Sequence, residues 1–374
     1  MLRVVAVNGY RSLRDLVLPL APLTLVTGAN GSGKTSLYRA LRLLADAAAN
    51  SVVASLAREG GLRSTLWAGS QKGVTLGEPV ALRLGFAGDV YGYAIDLGHP
   101  IPSNSAFVFD PRVKRESIWH GPVYRPRGAM VERRNNLVQT MSADDDGPVV
   151  LTEDLADTDS MLGSIADPMR APEMLEIREA VRRWRFYDQF RTDSDAPARR
   201  PQIGTYSPVL ADDGGNLAAV LQTIVEIGDR DALAATITDA FPGSRLTVDT
   251  DGPFDVRFAQ RGLTRPLRGA ELSDGTLRYL LWSAALLTPR PPQLMVLNEP
   301  ENSLHPDLLE ALARLILVAA ERTQVVVVSH APPLIAALAA SPACSHVRLR
   351  KEDGETLVDG LTRLDAPRWQ WPSR

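Results

Sequence analysis

Short apolar runs separated by prolines open the chain. Val4, Val5 and Val7, then Leu13 to Leu18, then Leu23 to Val26 predict three strands, punctuated by Pro19 and Pro22. The third run passes straight into Gly28-Ala29-Asn30-Gly31-Ser32-Gly33-Lys34-Thr35-Ser36, after which Leu37, Ala40, Leu41 and Leu44 recur at helical spacing. Much later, Leu272-Ser273-Asp274-Gly275-Thr276 opens a second helix carrying Leu277, Leu280, Leu281, Ala284 and Ala285. Leu294 to Leu297 is an apolar strand ending in Asn298-Glu299-Pro300-Glu301-Asn302, and Val325 to Val328 is another, ending in Ser329-His330. Continuous apolar runs of this kind suit parallel strands covered on both faces.

The middle of the chain has a different pattern. Val80, Leu82, Leu84 and Phe86, then Tyr91, Tyr93, Ile95 and Leu97, alternate with polar positions around Gly88-Asp89, which predicts a hairpin. Phe107–Phe109, Ser117–Trp119 and Val131–Thr140 extend this into an antiparallel layer. Helical spacing over Ala171–Phe190 and Asn216–Ala240, with an extended link from Pro197 to Pro208, predicts an inserted helical subdomain. Val347–Leu349 and Thr356–Val358 predict a closing hairpin. The expected division is 1–78 and 244–374 as the two parts of one α/β core, 79–143 as the antiparallel β region, and 144–243 as a helical or lid subdomain.

Composition narrows the class. The chain has 374 residues, 45% of them apolar, and 41 basic against 44 acidic side chains, a net charge of −3. That balance argues against a nucleic-acid packager and leaves room only for a local basic face. No apolar run approaches the roughly 18 residues of a membrane span, and the start, MLRVVAVNGY, lacks the plan of a signal peptide. A single cysteine, Cys344, excludes an intrachain disulfide and a thiolate metal cluster, as expected for a cytoplasmic protein. His99, His120, His305 and His346 show no metal-ligand spacing, and Asp110, Asp144, Asp145 and Asp146 read as solvated acids rather than nuclease carboxylates.

The glycine-rich segment fits G-x-x-x-x-G-K-[ST] between a strand and a helix. Glycines let the backbone N–H groups of residues 30–33 turn inward toward phosphate oxygens, and the following helix adds its positive end. Lys34 is expected to reach the β- and γ-phosphates, Thr35 to ligate Mg²⁺, and Ser36 to lie within the same ATP-binding turn. Ser273 caps the later helix, where a hydroxyl and free N–H groups converge to suit an anion. Lys34 and Glu299 stand 265 residues apart. So wide a separation suits an ATPase core split by a large insertion.

These elements, in this order, resemble the ABC-type ATPases of the SMC/RecF/OLD-like branch, AAA_21-like bacterial ATPases. Asn8-Gly9-Tyr10-Arg11-Ser12-Leu13 looks like that branch's first-strand turn, and Asn298 to Pro306 like its acidic strand and D-loop. The specific motifs cover about residues 1–50 and 265–340. The resemblance implies a P-loop NTPase (ABC/SMC-head-like) core that dimerises head-to-tail around ATP. Ser273, Asp274 and Gly275 would act in trans on the ATP held by the partner, Glu299 would activate water, and His330 would sense the γ-phosphate. Where the branch carries an aspartate, this chain has Asn298, which is expected to meet Mg²⁺ indirectly and weakly and to slow turnover. Gln71 and Gln139 are candidates for the Q-loop by order alone.

Arg182, Arg183, Arg199 and Arg200, with Arg178, Arg185, Lys114, Arg115, Arg125, Arg127, Arg133 and Arg134, are candidates for a DNA-facing surface, or equally for solvated helix faces paired with Glu173, Glu176 and Glu179. Two functions therefore stand. One is a DNA-associated switch in repair, recombination or anti-phage defence, working with a separately encoded nuclease or effector, since no Toprim nuclease domain fits after residue 340. The other is an ATP-gated module that regulates a partner protein without binding DNA. A transporter subunit fits the long insertion and the N-terminal turn poorly, and no heptad run is long enough for an SMC arm.

Overall fold

Antiparallel pairing of one set of strands and parallel pairing of another sort most of the chain into two larger sheets. The structure, a computed structural model, describes residues 1–69, 81–100, 104, 107, 109–141, 147–361 and 366–373. Its strands are β1 (Leu2–Tyr10), β2 (Leu13–Pro19), β3 (Leu23–Gly28), β4 (Ala81–Gly88), β5 (Tyr91–Gly98), β6 (Arg112–His120), β7 (Ala129–Arg134), β8 (Leu137–Met141), β9 (Pro148–Thr152), β10 (Arg185–Tyr187), β11 (Arg245–Asp249), β12 (Asp255–Ala259), β13 (Leu267–Arg268), β14 (Leu294–Asn298), β15 (Gln324–Val328), β16 (Cys344–Glu352) and β17 (Glu355–Val358). Its helices are α1 (Lys34–Ala48), α2 (Val52–Arg58), α3 (Leu62–Thr65), α4 (Met161–Ser164), α5 (Pro172–Arg182), α6 (Leu217–Ile227), α7 (Arg230–Ala240), α8 (Asp274–Leu286), α9 (Leu309–Ala320) and α10 (Pro332–Ala339). Two compact units result: Met1–Ala21, Gly28–Trp184 and Val347–Arg374 form unit one, and Pro22–Thr27 with Arg185–His346 form unit two.

Unit one is built on an antiparallel sheet ordered β2-β1-β4-β5-β6-β7-β8-β9. The hairpin expected around Gly88-Asp89 is β4–β5, in register from Ala81↔Gly98 to Ala87↔Gly92. Trp119 is fully buried beneath it and meets Trp369 edge to face at 5.7 Å, which ties the C-terminal segment to the sheet. Glu116 and Arg133, on paired strands, are both wholly buried and 3.0 Å apart. Tyr93, Ser160 and the Met161 N–H donate to the Glu116 carboxylate, and Arg133 donates to the Asn135, Ala156 and Asp159 carbonyls. A buried ion pair is tolerated because every remaining polar site is occupied in this way. Helix α1 shows the expected stripe, with Leu37, Ala40, Leu41 and Leu44 all inaccessible.

Unit two carries parallel strands in the order β10-β14-β15-β3. Both β14 and β15 are buried at every position, as their apolar runs require. In register, Val326 lies between Val296 and Thr24. Helices α6, α8 and α9 share a core with the sheet that includes Leu25, Leu221, Trp282, Leu297, Leu312 and Val327.

Two elements differ from the sequence expectation. The helix expected over Ala171–Phe190 stops at Arg182, and Arg185–Tyr187 become strand β10 beside β14. A Trp-Arg-Phe-Tyr run favours an extended chain once an edge offers it a ladder, and that edge is distant in sequence. The helix expected over Asn216–Ala240 divides at Gly228, and the Asp229 side chain caps α7 by accepting from the Ala232 N–H at 2.8 Å. The β11-β12-β13 sheet was not foreseen. Val80, Val108 and the expected boundaries at 78/79 and 143/144 lie outside the described residues. The unit division between Trp184 and Arg185 falls inside the span read as one helical subdomain.

Arg133→Met leaves Glu116 charged and unpaired in the interior, so urea unfolding of unit one should show a loss of about 3–5 kcal/mol. A loss below about 1 kcal/mol would mean that the pair contributes little.

Candidate functional site

In unit one, the glycine-rich loop follows Thr27 directly. Gly28, Gly31 and Gly33 have φ of +154°, +77° and +106°, the left-handed region that glycine enters without cost. At Gly33 a β-carbon would also lie 2.2 Å from Thr356 Oγ1, whose hydroxyl lies 2.8 Å from both Ser32 O and Ser12 Oγ and so braces the loop from β17. Lys34 is 7% exposed, and its ammonium donates to Gly28 O (2.6 Å) and Ala29 O (3.2 Å). Helix α1 has no side-chain cap at Gly33, which leaves its first N–H groups free for an anion. Among the described residues Ser32 Oγ is buried without a partner, while Asn30, Gly31 and Thr35 are exposed and Ser36 is half-buried. This cradle suits phosphate.

In unit two, β14 and β15 end side by side at the carboxyl edge of the parallel sheet, where such folds place their ligands. The chain turns sharply there. Glu299 has φ +49°, a left-handed conformation costly for a residue with a β-carbon, and its N–H still donates to Val328 O at 2.8 Å. Its carboxylate accepts from Asn302 Nδ2 at 2.9 Å and lies 3.6 Å from His330 Nδ1. Glu301, 7% exposed, accepts from Ser329 Oγ (2.6 Å), the His330 N–H (2.8 Å) and the Ala331 N–H (3.1 Å) through one oxygen. That carboxylate fixes the loop carrying His330.

Asn298 is 8% exposed. Its Nδ2 donates to Asp188 Oδ1 at 3.0 Å, and its Oδ1 is buried without a partner among the described residues. An unused acceptor on a side chain that is hydrogen-bonded to the Asp188 carboxylate suits the oxygen preference of Mg²⁺. Among the described residues no group of three or more His, Cys, Asp or Glu side chains is placed to hold a metal alone. Mg²⁺ in nucleotide sites takes one or two carboxylates and completes its shell with phosphates and water.

Ser273 caps α8, accepting from the Thr276 N–H at 3.2 Å, and Ser273 and Asp274 are exposed. Buried Arg199 stands behind this turn. It donates to Leu272 O (2.6 Å), Thr192 O (2.9 Å) and Asp274 Oδ1 (2.6 Å). Buried Arg278 on α8 donates to Asn302 O (2.7 Å) and Phe190 O (2.9 Å), which links the helix to the acidic turn; burial lowers its guanidinium pKa.

The arginine surface changes accordingly. Arg199 is turned inward, with its donors used inside unit two, so a phosphate would have to displace them. Arg115 and Arg133 are buried in unit one. Arg182 donates to Ala48 O at 2.9 Å, satisfying the end of α1. Arg200 pairs with Asp195, and Arg183 is exposed. Gln139 sits on β8 of unit one, while Gln71 and Asp144–Asp146 lie outside the described residues. Sequence reasoning missed Asp188, Glu301 and Thr356 as site residues. Only Glu301 had a local signal, as the second acid of the acidic turn.

Comparison with known proteins bears on the same residues. The sequence profile of the AAA_21 family, described as "AAA domain, putative AbiEii toxin, Type IV TA system", matches residues 23–105 and 148–336. The chain belongs to this family. A stretch of 44 residues is 48% identical to the OLD nuclease of Thermus scotoductus, covering 12% of this chain and 8% of that protein. The crystal structure of an SmcHead bound to the C-winged helix domain of ScpA superposes with a TM-score of 0.52 at 15% identity, over 98% of this chain and 99% of that one. An Smc head domain with an extended coiled coil, bound to the C-terminal domain of ScpA derived from Pyrococcus furiosus, gives 0.49 at 15% identity over 98% and 97%. The first of these shows the fold, the α/β P-loop NTPase architecture expected from the sequence.

Glu301→Gln removes the charge that three donors share. Chemical denaturation should show a loss of about 2–4 kcal/mol, since hydrogen bonds to charged groups contribute about 1.5–3 kcal/mol each and the amide keeps part of the set. An unchanged midpoint would show that the neutral amide serves as well.

Proposed function

We propose that this chain is a Mg²⁺-dependent ATPase that pairs head-to-tail with a second copy around ATP. The observation that carries the reading is the Glu299 turn: a carboxylate held on left-handed backbone, 3.6 Å from a histidine, at the carboxyl edge of a parallel sheet. The uncapped loop of residues 28–36 binds the phosphates, with Lys34 released from Gly28 O to meet them and Thr35 offering its hydroxyl to the metal. Mg²⁺, when bound, would neutralise phosphate charge, and in the phosphate loop Thr35 is the residue that would hold it. Glu299 takes the proton of the attacking water, and His330, steadied through Glu301, reports the γ-phosphate.

The trans role of residues 273–275 is supported by the exposure of Ser273 and Asp274, with Gly275 half-buried beside them. Gly275 has ordinary backbone angles, and an added methyl would meet nothing closer than Ser303 O at 3.7 Å. The fold does not require a glycine there, so a close-approaching partner is the better reason for one. Gly275→Ala should be as stable as the parent, or about 0.5–1 kcal/mol more stable, yet fail to dimerise with ATP. A variant that pairs normally would remove the trans role.

Downstream, the inward use of Arg199 favours a module that acts on a partner protein over a switch in DNA repair, recombination or phage defence. A nuclease or other effector encoded separately is the natural partner in either case. No helix among the described residues is long and apolar enough to cross a membrane; with its lone thiol at Cys344 the chain suits the cytoplasm.

Three chains separate these ideas: parent, Lys34→Ala and Glu299→Gln. Lys34→Ala should lose nucleotide binding. Glu299→Gln should bind ATP, persist as a dimer in size-exclusion chromatography, and turn over roughly 10²–10⁴-fold more slowly; turnover at the parent's rate would remove Glu299 from catalysis. Double-stranded DNA binding that strengthens with ATP and weakens steeply with salt would restore the DNA reading.

A further inference from the structure

Asn298 leaves the acidic strand one carboxylate short of its branch's pattern, yet the position is not without negative charge. Strands β10 and β14 run parallel with Phe186 opposite Val296 and Tyr187 opposite Leu297, so the next pair along the carboxyl edge is Asp188 and Asn298. Neighbouring strands lie about 4.8 Å apart, and here the side chains close the gap with a 3.0 Å hydrogen bond. Asp188 is exposed, and among the described residues it has no other hydrogen-bond or ion-pair partner. The buried amide it touches directs one atom to Asp188 and keeps the other, Oδ1, unpartnered.

We infer that Asp188 is the metal-facing carboxylate of this site, standing one strand away from where the acidic strand would carry it, with Asn298 as the neutral member of the pair. The inference rests on the ATPase reading above. It revises the expectation drawn from Asn298 alone. A neutral amide by itself would weaken Mg²⁺ binding, whereas the pair carries the single charge that one aspartate would have supplied. Mg²⁺ retains several waters and accepts carboxylates through them, so a carboxylate displaced by one hydrogen bond can still serve it. Two acids at this spacing would repel each other in the absence of metal, which accounts for an amide at 298 once an aspartate occupies 188.

The test uses the full chain with a non-hydrolysable ATP analogue and Mn²⁺, followed by electron paramagnetic resonance. Asp188→Asn keeps the hydrogen bond to Asn298 and removes only the charge. It should weaken Mn²⁺ binding roughly 10- to 100-fold, with metal-free nucleotide binding and melting temperature unchanged. The exchange Asp188→Asn/Asn298→Asp should restore the parent's titration midpoint. Mn²⁺ binding by Asp188→Asn equal to the parent's would show a mere hydrogen-bond partner and overturn the inference, as would an exchanged pair that stays weak. A parent that binds no nucleotide at all would overturn the ATPase reading itself; a parent that binds it normally, beside an unaffected Asp188→Asn, overturns the metal role alone.

Discussion

The buried carboxylate of Glu301 governs the acidic turn. Parallel strands all leave their sheet at the same edge, so β14 and β15 must release their chains side by side while their last backbone donors seek partners. Glu301 meets that need with one oxygen, taking the Ser329 hydroxyl and the N–H groups of His330 and Ala331. Once residue 301 is committed, the chain between it and β14 has little freedom. Glu299 is forced to positive φ, and its carboxylate is held between Asn302 and His330. The strain at Glu299 is thus held in place by the hydrogen bonds two residues on.

Buried arginines do comparable work elsewhere. Arg199 ties the turn before α8 to the segment around Thr192, and Arg278 joins α8 to the carbonyls of Asn302 and Phe190. Within unit two, the signature-like turn, the acidic turn and the exit of β10 therefore form one hydrogen-bonded assembly. Guanidinium suits this task because its donors fan out in a plane and remain charged when buried. In unit one, Arg133 plays the same part against Glu116 and three carbonyls. Arginines that read as a basic surface in sequence are, at these positions, internal connectors.

The Asp188–Asn298 contact shows how a motif can be divided. Local sequence records a departure at 298 and nothing at 188, since the two residues stand 110 positions apart. Their meeting depends on a three-residue strand whose aromatic side chains, Phe186 and Tyr187, are buried, Tyr187 in the core of the parallel sheet. Phe190, just beyond, packs on Trp282 at 4.9 Å and anchors the exit of that strand.

What the sequence determined by itself is what contiguous residues can enforce. The phosphate loop is written in glycines whose conformations only glycine reaches easily, the α1 stripe in leucines at helical spacing, the β4–β5 hairpin in strict alternation, and the acidic turn in neighbouring acids. What only the tertiary structure decided is which distant groups share a space. Strand β10 exists because the edge of β14 offers it hydrogen bonds, Arg199 is internal because the loop around Leu272 closes over it, and Asp188 reaches Asn298 because two strands fall into register. Spacing along a chain fixes local geometry within a few residues. Pairing across a sheet is settled by burial and by the demand that every backbone donor and acceptor be met, and no short window of sequence carries that information.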